Sequence, residues 1–155
     1  MSKYKGNAQP STATTLDDVL DNAEDSFDIP ERGITVDTVK HFGIRRFLDV
    51  SDGTVEAYFF PVTKKGDTKG FIKVSPKRSK KNGRFATVGD VSMESDLLGQ
   101  ANAQEGKKVF IVEGCFDLLS AYQSLNAHKP SGYSGIPAVV SPALGIGDIN
   151  KGVTN

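Results

Sequence analysis

Two carboxylates in the last third of the chain have the type and spacing for metal chemistry. Glu113 follows the apolar run Val109-Phe110-Ile111-Val112, and Asp117 comes four residues later, after Gly114-Cys115-Phe116. A short continuous apolar run is the pattern of a parallel strand buried on both faces. A carboxylate at the C-terminal end of such a strand lies where α/β sheets place their ligands. Gly114 permits a tight strand-to-helix turn and close backbone approach. Asp117 falls in the first turn of the following helix, so both acids are expected to face one crevice. Acids placed this way bind hard divalent cations through oxygen. One of them can also take a proton from an attacking hydroxyl. The same pattern admits a plainer reading, in which Glu113 is an exposed loop acid and Asp117 only starts a helix.

A second group of residues carries the opposite charge. The formal net charge is zero, yet Lys64 to Arg84 is strongly basic. Lys73, Lys77, Arg78, Lys80, Lys81 and Arg84 are the candidate contacts to nucleotide or nucleic acid. Such a ribbon can displace counterions from a phosphate backbone. Its mixture of lysine point charges and arginine forks suits phosphates rather than base edges. A charged, solvated β-loop is the alternative. Phe71 and Phe85 flank the ribbon and read as core residues, as aromatic residues in strands usually are.

Gly145, in Ser141-Pro142-Ala143-Leu144-Gly145, is a candidate turn whose backbone can approach phosphate. Cys115 lies close to a helix N-terminus, where a thiol pKa can fall. It is nevertheless assigned a packing role. His41 reads as a helix-end residue that favours the negative end of the dipole. His128 falls in a loop.

These groups need elements to hold them. Thr15 with Asp17 and Asp18 predicts a helix start, with Leu16, Val19 and Leu20 on one face. Thr35 caps a second helix that buries Val36, Val39 and Phe42 and stops at Gly43. From Arg46 the period becomes two. Phe47 to Val50 and Val55 to Val62 form a hairpin around Asp52-Gly53. Gly70 to Val74 is a third strand and Phe85 to Val88 a fourth. Beyond Gly106 comes strand, helix, strand: Lys108 to Val112, Phe116 to Leu125 and Pro137 to Ser141. That order makes a right-handed βαβ unit of a parallel sheet. The predicted fold class is α+β: a small antiparallel sheet with short helices, then an incomplete α/β portion with parallel strands. The predicted divisions are a flexible acidic region at 1–30, a small α+β subdomain with the basic loop at 31–105, and the α/β portion at 106–155.

Composition narrows the function classes. The 155 residues, 37% of them hydrophobic, suit one domain or one small domain with part of another. The single cysteine excludes an internal disulfide and a cysteine-based zinc site within this chain. No apolar run approaches the roughly 20 residues of a membrane span. The N-terminus lacks the apolar core of a secretory signal. No membrane partner is expected, and the cytoplasm, or the cytoplasm of an infected host cell, is the expected location.

The stretch VFIVEGCFDLLSAYQSL followed by PAVVSPALGI resembles the opening of a Toprim domain, the catalytic fold shared by topoisomerases and primases. Upstream, RGITVDTVKHFGI, AYFFPVTKKGDTKGFIKV, KNGRFATVGD and SDLLG follow the order of segments in the primase half of phage primase–helicases and of the related Twinkle helicases. The resemblance runs from Arg32 to Gly147. It implies a DNA primase that makes short RNA primers on single-stranded DNA from ribonucleoside triphosphates. Glu113 would be the metal-organising and acid–base glutamate, and Asp117 would support the metal. The cofactor would be magnesium, with manganese as the other candidate. Lys73 and the run Lys77, Arg78, Lys80, Lys81 and Arg84 would hold triphosphate and template, and Gly145 matches a family turn. Replisome proteins, and further copies through a helicase part, are the implied partners. Such families carry an Asp-x-Asp pair on a further strand. No such pair follows Ser141, and no Walker A sequence is present. The chain is therefore expected to be a piece of a longer primase, inactive alone. A non-catalytic nucleic-acid- or nucleotide-binding module of a replisome and a Toprim nuclease relative are the competing readings.

Overall fold

The computed structural model describes residues 14–103 and 108–143. Helix α1, Leu16–Asn22, begins with a capping box: Asp18 N–H donates to Thr15 Oγ1 and Thr15 N–H to the Asp18 carboxylate. Helix α2, Val36–Phe42, is capped by Thr35 and ends at Gly43, whose φ of 66° is the left-handed cap that glycine adopts without strain. Four strands follow as an antiparallel meander: β1, Arg45–Leu48; β2, Val55–Lys64; β3, Asp67–Val74; and β4, Phe85–Gly89. Lys65 and Gly66 both have positive φ in the β2–β3 turn, the geometry that matches strand twist. The Asp96 carboxylate caps that turn, accepting from Gly66 N–H, Lys65 N–H and Thr63 Oγ1.

Strand β5, Val109–Ile111, helix α3, Cys115–Ala127, and strand β6, Ala138–Val140, form the expected parallel βαβ unit. The α+β class and the order of elements agree with the sequence reading.

Side-chain alternation divides the meander into two faces. Tyr58, Phe60, Val62, Ile72 and Val74 face α2, α3 and β6 and make the main core with Phe42, Leu98, Leu118, Leu119 and Val139. Ala57, Phe59, Phe71 and Val88 face the other way and pack on Val19 of α1. The segment SDLLG ties the meander to the βαβ unit. Asp96 caps the hairpin, Leu98 is buried and bridges Ser141, and Gly99 lies where a Cβ would come within 2.7 Å of the Val139 carbonyl.

Four expectations change. Residues 14–30 are not a flexible appendage: Val19, Phe27 and Ile29 are buried and Glu24 pairs with Arg46. The division at 105/106 does not separate two cores, because one apolar cluster spans it. Strand β5 is not buried on both faces. Val109, Phe110 and Ile111 are 54%, 46% and 73% exposed. The physical reason is position: β6 lies against Leu98 and α3, whereas β5 has β6 as its one strand neighbour. Leu20, expected on the packed face of α1, is exposed because the sheet contacts that helix through Leu16, Val19 and Ala23.

Candidate functional site

The chain turns from β5 into α3 at Val112-Glu113-Gly114. Val112 N–H still donates to Val140, at 2.9 Å, so the ladder holds the strand end in place up to the residue before Glu113. Gly114 is the helix N-cap, and its carbonyl accepts the first helical bond from Leu118. Its backbone is extended, at φ −129°, so glycine is not required here for conformation. It is favoured for space: a Cβ would stand 2.7 Å from Asp117 Oδ2. The Asp117 side chain thus folds back over Gly114, and it lines the same cleft as Glu113.

Both carboxylates are exposed. Among the described residues neither joins an ion pair. They line a cleft of about 520 Å³ together with Arg32, Ile72, Lys80, Phe85, Ala86 and Thr87. Its floor is the main-core face of the meander where β3 and β4 run beyond the cover of α3. Its walls are the first turn of α3 and the Pro142-Ala143 turn after β6. The acids also border a shallow depression on the far side, beside Ser120 and Ser124, which leaves them accessible from two directions.

The basic residues divide by position. Lys80 lines the cleft. Arg84 closes the β3–β4 loop, with its guanidinium donating to the carbonyls of Arg78 and Pro76. Ser75 N–H donates to the Arg84 carbonyl at 2.7 Å, so this loop has a defined base. Arg78 and Lys81 lie exposed on it. Lys77 is drawn to Asp49 and Asp52, at 3.1 and 3.2 Å. Hydrogen bonds from Ser51, with Lys77 beside it, hold the Asp49 carboxyl down at about 2. Lys64 is likewise engaged by Asp90 and Glu94. Lys73 pairs with Ala86 across the sheet, on the face opposite Ile72 and Val74, and its ammonium donates to Thr14. It does not reach the cleft. Gly145 lies outside the described residues.

Two cleft residues escaped the sequence reading. Arg32 is the last residue of a short 3-10 turn, Pro30–Arg32, and its guanidinium lies 3.8 Å over the centroid of Phe116. Phe116 stands edge-on to Tyr58 and Phe60. Phe85 is not core: it is 53% exposed on the cleft floor, unlike Phe71, which is buried. Phe85 pairs with Val74 and so lies on the face opposite Phe71. What local sequence could not show is where the cover of α3 ends.

Cys115 is packed, as its assigned role requires, whereas His41 differs from expectation. Burial pushes the Cys115 thiol up to about 12, which outweighs any helix-end effect. His41 stacks on Tyr122 at 4.1 Å, and burial lowers its pKa. It is a packed neutral ring rather than a charged partner of the dipole.

Among the described residues no cluster of three or more histidine, cysteine, aspartate or glutamate side chains is positioned for a metal. Two free carboxylates do fit magnesium, which keeps several waters and uses one or two carboxylates with substrate phosphates. No helix of the described residues is long and apolar enough to cross a membrane.

No protein-family profile matches the chain, and no curated protein matches it. Solved structures do. The primase fragment of the bacteriophage T7 primase–helicase protein superposes with a TM-score of 0.63 at 20% identity, over 88% of this chain and 50% of that one. The fold is phage-primase-like. The primase in a structure of the bacteriophage T7 lagging-strand DNA polymerase, interacting with primase domains bound to an RNA/DNA hybrid and dTTP, gives a TM-score of 0.58 at 22% identity, over 83% of this chain and 50% of that one. The chain thus spans about half the length of each primase-like structure it matches.

Proposed function

We propose that this chain supplies the front half of a DNA primase of phage type, and that its cleft is where triphosphate and metal meet. The observation that carries the reading is the convergence of Glu113 and Asp117 with Arg32 and Lys80 in one open cleft of the primase-like fold. Glu113 and Asp117 would hold magnesium, or manganese, which when bound supplies positive charge to triphosphate oxygens. Arg32 and Lys80, which line the same cleft, contact phosphate. Glu113, at the end of β5, is placed to take the proton of an attacking 3′-hydroxyl. Arg78, Lys81 and Arg84 present charge to the backbone of a single-stranded DNA template. Lys77 joins them when its acidic partners release it, and Lys73 serves the sheet rather than the triphosphate. The primase domains of the second T7 structure are bound to an RNA/DNA hybrid and dTTP beside a polymerase. That supports nucleic acid, nucleotides and replisome proteins as partners here.

The test is primer synthesis from ribonucleoside triphosphates on single-stranded DNA, using the complete protein that carries this chain. Glu113→Gln should lower the rate by about 100-fold or more, the range lost with a general base. Synthesis at the wild-type rate would reject the assigned role.

A second reading has its own support, in the exposed Arg78, Lys80 and Lys81 of the β3–β4 loop. The chain would then bind nucleic acid without catalysis. Gel-shift binding that persists without magnesium and in Glu113→Gln, and falls on neutralising Lys80 and Lys81, would favour it.

A further inference from the structure

We infer that Phe85 is a nucleobase platform, so that the cleft recognises a base as well as phosphate. The inference rests on the primase reading and deepens it. Phe85 opens β4 and pairs with Val74, which places its ring on the same face as Val74 and Ile72. That face is covered by α3 and β6 over most of its area but not here, and the ring is 53% exposed. The core phenylalanines each meet another aromatic ring. Phe85 meets none among the described residues.

Its surroundings narrow the ligand. Arg32 and Lys80 line the same cleft, as do Glu113 and Asp117. A flat apolar surface next to two cations suits a flat apolar group joined to an anion, which is the chemistry of a nucleotide. A free triphosphate needs no exposed ring, and an apolar peptide has no use for the cations. The volume of about 520 Å³ lies in the range of small-ligand sites. The backbone that carries the ring is also well fixed. The Ser75–Arg84 hydrogen bond closes the loop immediately before it, and the β3–β4 ladder runs through it. Stacking on a fixed ring requires no hydrogen-bond readout, so the platform accepts any base.

The base can belong to a free nucleotide or to a strand, and three probes separate the cases. Titrations of the wild-type chain, Phe85→Leu and Phe85→Trp would use magnesium-ATP, inorganic tripolyphosphate and a short oligothymidylate. Phe85→Leu should weaken ATP, oligothymidylate or both by about 10-fold, from the lost stacking. It should leave tripolyphosphate within about twofold, and Phe85→Trp should retain binding. Loss confined to ATP assigns the base of the incoming nucleotide, and loss confined to the oligonucleotide assigns a template base. Equal weakening of all three probes, or no weakening, overturns the platform alone. A wild-type chain that binds neither ATP nor oligonucleotide overturns the platform and the primase reading together.

Discussion

The Arg32 guanidinium lies 3.8 Å above the centroid of Phe116, so a cation from the segment before α2 is held against the first turn of α3. Phe116 is itself wedged edge-on against Tyr58 and Phe60 of β2. One ring thus fixes both the charge on one wall of the cleft and the helix start that carries Asp117. Arg32→Ala removes a cation–π contact worth about 0.5–1 kcal/mol at an exposed site. It should lower chemical-denaturation stability by that amount and weaken magnesium-ATP binding more than tenfold. Arg32→Lys should restore part of the stability and less of the binding, because lysine lacks the fork.

Gly114 is the counterpart on the carboxylate side. Gly114→Ala places a methyl group where Asp117 Oδ2 now stands. The carboxylate is at the end of a flexible side chain and moves aside, so the fold should lose less than about 1 kcal/mol. Manganese binding followed by electron paramagnetic resonance should weaken clearly. Unchanged manganese affinity would show that the position of Asp117 does not matter.

Gln123 joins α3 to the segment that carries Arg32. Its Oε1 accepts from Thr35 N–H and Thr38 Oγ1, both at 2.9 Å, and its Nε2 donates to the Gly33 carbonyl at 2.7 Å. Thr38 is buried, so Gln123→Ala leaves its hydroxyl and the Thr35 amide short of a partner. The expected loss is about 1–3 kcal/mol by urea unfolding. Gln123→Glu should retain the acceptor bonds and lose the one to Gly33.

His41 gives a pH dependence. Its ring is stacked on Tyr122 and its Nε2 is buried without a partner. Burial lowers its folded pKa below the usual 6.5. The folded state then binds fewer protons than the unfolded state, so stability is full above about 6.5 and falls as pH drops towards the folded value. Asp49 and Asp96, also lowered, lose their contribution only below about 4. Urea midpoints should therefore fall between pH 7.5 and 5.5 in the wild type, and much less in His41→Phe.

Local signals in the sequence carried far. The Thr15 and Thr35 caps, the Gly43 stop and the Asp52-Gly53 hairpin each depend on a few neighbouring residues, and each forms as expected. Glu113 and Asp117 were legible because a strand end and a helix start four residues apart bring them together. Lys73, Phe85 and His41 were not. Alternation says that Lys73 and Ile72 face opposite ways, but which face meets α3 depends on contacts between distant segments. The exposure of β5 follows from its having one neighbouring strand, which its apolar composition does not reveal.

The most direct test of the cleft is magnesium-dependent ATP binding by this chain, measured by calorimetry. The wild type should bind ATP more tightly with magnesium than without it, and Glu113→Gln combined with Asp117→Asn should abolish that difference. Lys80→Ala should weaken binding under both conditions. An identical magnesium dependence in the double variant and the wild type would contradict the account.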